Sequence, residues 1–227
     1  MTRPGADSFL PARAQAPAVP YGGSNPPRIL LYGGTFDPPH LGHMNNLRAA
    51  MAAVHPDRVV VMPAGIPPHK AASATPARHR LAMCRCFHAL GRSITVSRWE
   101  MDQGGRSYTV NTLEMLRAAW PAADLYLAVG SDMLLTFRQW RDWQRILQLA
   151  SLVVESRQTG DEPRLQAMAR SLAAAGGRIL FARAPAFVCA SSDLRARLAA
   201  GDTATMKLLP DEVAVYIKKY NLYCDGK

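Results

Sequence analysis

The sequence predicts an α/β protein: a doubly wound parallel sheet with helices on both faces and a small helical part at the C-terminus. Two observations carry that expectation. Short, almost unbroken apolar runs such as residues 29–32 and 59–62 have the length of strands buried on both faces. Between such runs lie stretches with helical spacing, long enough for the crossovers that parallel strands need. Composition agrees, since 48% hydrophobic and 19% charged residues in a chain of 227 suit one globular domain with a sizeable core.

Residues 1–27 precede the pattern. Nine of these 27 are Pro or Gly, against 24 in all the remaining positions, and so few large apolar groups cannot offset the entropy of ordering the chain. A flexible extension is expected there. Arg3 and Arg13, without acidic density around them, leave a transit peptide open as the alternative. The folded domain is expected over residues 28–227.

From residue 28 the alternation is regular. Residues 28–32 read as a strand, and 41–54 follow as a helix with Leu41, Met44, Leu47, Met51 and Val54 at helical spacing. Next come a strand at 58–62, a helix over 76–90 with Leu81, Cys84 and His88 on one face, a strand at 93–97 and a helix over 108–120. A strand at 125–129 is closed by the turn-forming Gly130-Ser131-Asp132, and a helical stretch then extends to Leu149. The chain ends in a strand at 152–155, a helix at 164–174, a strand at 178–181 and two short helices at 192–200 and 211–220. Folds of this kind bind ligands at the carboxyl ends of the strands, where strand order reverses.

Several function classes are closed off early. No stretch nears the ~18 apolar residues of a membrane helix, and the opening segment lacks the apolar core and cleavage site of an export signal. Cys84, Cys86, Cys189 and Cys224 have neither metal nor disulfide-framework spacing, which fits a reduced, cytoplasmic setting. The net charge is +10, its excess dispersed through the first half of the chain rather than gathered in a basic tail. That balance suits nucleic acid or an enzyme that handles polyanionic small molecules.

The densest chemistry lies in Gly33-Gly34-Thr35-Phe36-Asp37-Pro38-Pro39-His40-Leu41-Gly42-His43, which leaves the first strand and enters the first helix. The glycines permit close backbone approach, and a helix N-terminus offers N–H groups and a positive dipole end to phosphate. His40 and His43, three apart, share a helix face and can donate to a phosphoryl group in transfer. Taken singly the parts are bland: a lone Gly-Gly is usually a turn, and two histidines without thiolate or carboxylate partners make a poor zinc site. No metal site is expected. The joint pattern of Gly33, Gly34, Phe36, Pro38, His40, Gly42 and His43 would coincide by chance less than about once in a million chains of average composition.

This segment resembles the signature of the nucleotidyltransferase superfamily with a His-x-Gly-His motif, and more closely that of bacterial nicotinate-nucleotide adenylyltransferases. The resemblance spans residues 28–224 and implies a Rossmann-like nucleotidyltransferase domain. It implies that Gly33, Gly34, Thr35, Phe36, His40 and His43 meet ATP, together with Gly130 and Asp132 of the Gly-x-Asp turn. Residues 62–70, Met-Pro-Ala-Gly-Ile-Pro-Pro-His-Lys, are similar to the family's loop after the second strand, so His69 and Lys70 would approach the mononucleotide phosphate. Ser107-Tyr108-Thr109 resembles the motif beside the nicotinate pocket, Trp140 the indole on the pyridine ring, and Arg157 an arginine at the mouth of the site. Asp37 and Arg141 complete the mononucleotide set. The ending from Leu209-Pro210-Asp211-Glu212-Val213 to Leu222-Tyr223 matches the family's C-terminal helix.

Ser191-Ser192-Asp193-Leu194-Arg195 reads as a helix start, with Ser192 as cap, Asp193 complementing the dipole and Gly201 as the stop. By itself it is an ordinary surface helix. Beside the resemblance it is similar to the family's Ile-Ser-Ser/Ala-Thr-x-Ile-Arg element, whose hydroxyls and arginine hold the ATP phosphates. Aligned on Arg195, the family's threonine falls on Ser192 and its first serine on Ala190, so Ser191 is left to replace that hydroxyl.

The expected activity joins nicotinate mononucleotide to ATP, giving deamido-NAD and pyrophosphate, with Mg²⁺ arriving with ATP. His40, His43 and Arg195 are the expected catalytic residues. Nucleic acid and membranes are not expected partners, and a homo-oligomer is left open. Two rivals stand beside this reading: a sister adenylyltransferase using nicotinamide mononucleotide or phosphopantetheine, and a basic nucleic-acid-binding module.

Overall fold

The computed structural model describes residues 26–68, 73–155, 162–183, 187 and 189–224. Its strands are β1 (Arg28–Gly34), β2 (Arg58–Pro63), β3 (Ile94–Val96), β4 (Asp124–Gly130), β5 (Ser151–Glu155) and β6 (Ile179–Ala182). All pair in parallel, in the order β3-β2-β1-β4-β5-β6. The helices are α1 (Leu41–Val54), α2 (Ala77–Met83), α3 (Trp99–Asp102), α4 (Thr109–Ala119), α5 (Ser131–Leu135), α6 (Trp143–Leu149), α7 (Glu162–Ala174), α8 (Ser191–Ala199) and α9 (Asp211–Tyr220). The doubly wound order expected from the sequence is present.

Strand pleating explains the two cores. Leu30, Tyr32, Val59, Val61, Tyr126 and Ala128 turn to one face and pack with Met44 and Leu47 of α1 and Val213 and Ile217 of α9. Their neighbours Ile29, Leu31, Val60, Met62, Leu125 and Leu127 turn to the other, against Leu113 and Leu116 of α4 and Leu165 and Leu172 of α7. Burial on both sides is why these strands read as continuous apolar runs.

Some expected elements are interrupted. The helix over 76–90 stops at Met83 and continues as a 3₁₀ segment, Cys84–Leu90. Three residues per turn stack Cys84 over Phe87 in the core, and His88, expected on the apolar face, is exposed. The stretch up to Leu149 divides into α5, a 3₁₀ turn at Phe137–Gln139 and α6, because Trp140 is extended and Asp142 is left-handed (φ 52°). Gly130-Ser131-Asp132, read as a turn, instead opens α5, since Gly130 still pairs with Glu155 in the sheet. The α8 helix starts at Ser191 behind Ala190, and the Ser192 hydroxyl bonds Asp193 rather than capping. Its end is as expected: Gly201 is left-handed (φ 79°), and Gly201 and Asp202 return N–H bonds to Leu198 and Arg197.

Residues 1–25 of the expected extension lie outside the described residues. Among the described residues, no helix is long and apolar enough to cross a membrane.

Candidate active site

The phosphate loop leaves β1 at the carboxyl edge of the sheet, beside the ends of β2 and β4. Phe36 takes a left-handed backbone (φ 51°) and drives its ring into the core, against Tyr32, Phe87 and His43. A Cβ on Gly34 would lie 2.9 Å from that ring, so glycine is required there. The Phe36 side chain therefore backs the loop from inside rather than lining its open side.

His40 is the N-cap of α1 and His43 its third residue, and the two cap each other. The His43 N–H donates to His40 Nδ1 at 3.3 Å, and the His40 N–H donates to His43 Nδ1 at 3.2 Å. The rings stack with centroids 3.7 Å apart. Because each Nδ1 accepts a backbone N–H, each neutral ring carries its proton on Nε2. Both imidazoles are thus set as Nε2–H donors at a helix N-terminus. Gly42 makes room: a Cβ there would lie 3.0 Å from the His40 ring and 3.1 Å from Phe187.

A second loop, after β2, is fastened to this one. Ala64 N–H donates to the Gly34 carbonyl at 2.8 Å. The buried Arg80 of α2 donates to the carbonyls of Thr35 (2.9 Å), Ala64 (2.7 Å) and Gly65 (3.2 Å), bridging both loops. Burial pulls its pKa down, against the opposing charge of Asp37. Further along, Gly65 N–H donates to Ser107 Oγ at 2.9 Å, and Arg106 reaches the Pro68 carbonyl. Thr112 Oγ1 donates to Glu100 Oε1 at 2.5 Å. Burial raises the Glu100 pKa, with the hydroxyls of Thr112 and Ser107 opposing.

Next to Ser107, the Arg141 guanidinium lies 4.7 Å from the Tyr108 ring centroid. Trp140 is half-buried against Phe137, 5.2 Å between centroids, and shares its apolar cluster with Tyr108. Tyr108, the N-cap of α4, thus meets the Trp140-Arg141 segment that precedes α6, and Thr109 opens α4 beside them. Trp99, Trp120 and Trp143 pack on the same cluster, as expected of core residues.

Arg195 reaches the first loop from α8. Its Nη1 donates to the Asp37 carbonyl at 2.7 Å, and Ser191 Oγ donates to the Pro38 carbonyl at 3.0 Å. Gly130 closes β4, and Asp132 is exposed in the first turn of α5. Gly33 is exposed at the end of β1. His69, Lys70 and Arg157 lie outside the described residues.

Sequence reasoning missed Arg80, Glu100 and Ser73, and it matched Tyr223 only as part of the C-terminal ending, with no role at the site. Arg80 had one available signal, an arginine inside an otherwise apolar helical face. Glu100 and Ser73 had none.

Strand order and the histidine-capped phosphate loop put the chain in the class of α/β nucleotidyltransferases. It belongs to the cytidylyltransferase-like family, whose model matches residues 31–197, and within it to the nicotinate-nucleotide adenylyltransferases. A relative from Acidithiobacillus ferrooxidans, named "Probable nicotinate-nucleotide adenylyltransferase", is 38% identical over 86% of this chain and 95% of its own. One of the same name from Symbiobacterium thermophilum is 37% identical over 88% and 97%. The fold is also that of a solved Plasmodium falciparum nicotinic acid mononucleotide adenylyltransferase complexed with NaAD: TM-score 0.71, 20% identity, 87% of this chain and 97% of that one.

Proposed function

We infer that the protein is a nicotinate-nucleotide adenylyltransferase of NAD biosynthesis. An oxygen of the mononucleotide phosphate attacks the α-phosphorus of ATP, the α–β bridging bond breaks, and pyrophosphate leaves. Positioning and charge stabilisation supply the catalysis, with no covalent enzyme intermediate. The observation that carries this reading is the mutual capping of His40 and His43, which makes two Nε2–H donors of two imidazoles at a phosphate-binding helix end. In this reading Gly33, Gly34, Thr35, Gly130, Asp132 and Ser192 face ATP, and Arg195 holds its leaving phosphates. The mononucleotide set is Asp37, Ser107, Tyr108, Thr109, Trp140 and Arg141, with His69, Lys70 and Arg157 at its phosphate and at the mouth.

Mg²⁺ enters with the ATP phosphates as part of the substrate and neutralises the departing pyrophosphate. The reading places the protein in the cytoplasm, where its four free thiols stay reduced.

The pyridine substituent decides specificity. Segments 107–109 and 140–141 contain no acidic residue, and Arg141 stands over Tyr108, so a carboxylate is favoured over an amide. Steady-state kinetics with nicotinate and nicotinamide mononucleotides test this. The expected result is a strong preference for nicotinate mononucleotide, with Trp140→Ala raising its KM through lost stacking. Equal kcat/KM for the two would overturn the substrate assignment and leave the phosphoryl chemistry standing.

A further inference from the structure

Asp37 lies three residues before His40, and both of its carboxylate oxygens are held by distant segments. Tyr223 OH donates to Oδ1 at 2.7 Å, and Ser73 Oγ donates to Oδ2 at 2.6 Å. The Arg195 guanidinium already bonds the Asp37 carbonyl, yet stands 3.7 Å from Oδ2, too far for a short ion pair. Asp37 is buried while the Arg195 side chain is 40% exposed, so the arginine has a face open to an incoming anion.

Tyr223 reaches this point by an unusual path. Beyond α9 the chain turns back through Asn221 and Tyr223, both left-handed (φ 49° and 63°). Non-glycine residues hold that conformation only where the surroundings demand it. Burial, followed by the adjacent Asp37, raises the phenol pKa, so the hydroxyl keeps its proton and remains a donor.

We propose that Tyr223 is a positioning residue: by anchoring Asp37 Oδ1 it fixes the tilt of that carboxylate and holds Oδ2 in a long, 3.7 Å ion pair with Arg195, whose guanidinium then stays available to the ATP polyphosphate. A carboxylate with two strong donors has little to gain from a third. Deprived of the phenol, it would close the 3.7 Å gap, and Asp37 and phosphate would compete for one guanidinium. The proposal rests on the reading of Arg195 as the ligand of the ATP phosphates.

The test uses the full chain and Tyr223→Phe, which removes one hydroxyl. Affinity for a non-hydrolysable ATP analogue, measured by calorimetry without the second substrate, is expected to fall about tenfold, the scale of one hydrogen bond to a charged group. Two backgrounds separate positioning from a merely structural role. In Arg195→Lys the phenylalanine should bring no further loss, and adding Asp37→Asn to Tyr223→Phe should restore affinity, because a neutral amide does not compete for the arginine. Unchanged analogue affinity, a fully additive loss in Arg195→Lys, or no rescue by Asp37→Asn would each overturn the proposal. If the wild-type protein fails to turn over nicotinate mononucleotide but shows the rescue, the substrate assignment falls and the role of Tyr223 stands.

Discussion

His40 and His43 each perform two tasks with the two nitrogens of one ring. Nδ1 satisfies a backbone N–H that a helix start would otherwise leave without a partner, and the proton is thereby assigned to Nε2. His43→Ala removes one half of the cap and, in the proposed mechanism, a donor at the transferring phosphoryl. Turnover should fall by about 10²-fold or more, while the lost cap costs about 1 kcal/mol of stability. Initial rates and thermal melts on the same variant check both, and near-normal turnover would sink the catalytic role. The sequence made the pair visible through its spacing, but not the mutual cap, because histidine is not among the residue types that usually begin helices. Arg80 was hidden for another reason. Its place in a helical face that is otherwise apolar signals burial, but its partners are the carbonyls of Thr35, Ala64 and Gly65, and every residue has a carbonyl, so the sequence does not say which ones it binds.

At the scale of elements, strands and long helices were legible because each repeats its apolar period several times; α1 and α9 have the boundaries that their periodicity gives. Four-residue α3 has no period to read, yet it delivers Glu100 to the first turn of α4. There the carboxyl binds Thr112 of α4 and Ser107, which in turn holds Gly65. Its raised pKa has a definite consequence for stability. Below the ordinary carboxylate pKa of ~4.3 the group is neutral whether the chain is folded or not. As pH rises from there to the raised folded value, the unfolded chain loses its proton first and gains relative to the folded one. Stability is therefore lost across that window. Glu100→Gln keeps an acceptor for Thr112 and cannot titrate. Its melting temperature relative to the wild type should climb between acid and neutral pH, and parallel profiles for the two proteins would refute this account.

For the molecule as a whole, the domain boundary sits slightly earlier than composition suggested. Pro27 accepts a hydrogen bond from Asp124 N–H at 2.9 Å, where β4 begins, so it already belongs to the sheet. Removing residues 1–25 should leave turnover and melting temperature nearly unchanged. Removing 1–27 costs that bond, about 1 kcal/mol, and should lower the melting temperature by roughly 2–4 °C in a chain of this size. A large loss from the shorter deletion would show that the extension packs on the domain. Strand order carries a further consequence. The first three strands and the last three meet in the sheet only where β1 lies beside β4, and the covalent link between the halves passes through Gly104-Gly105, exposed and with open space around both. In the proposed reading a nucleotide lies across the ends of β1 and β4 and touches both halves, so its binding energy would add to their cohesion. Substrate is thus a rivet: a chain nicked at the glycine pair would be held together most firmly while it is at work.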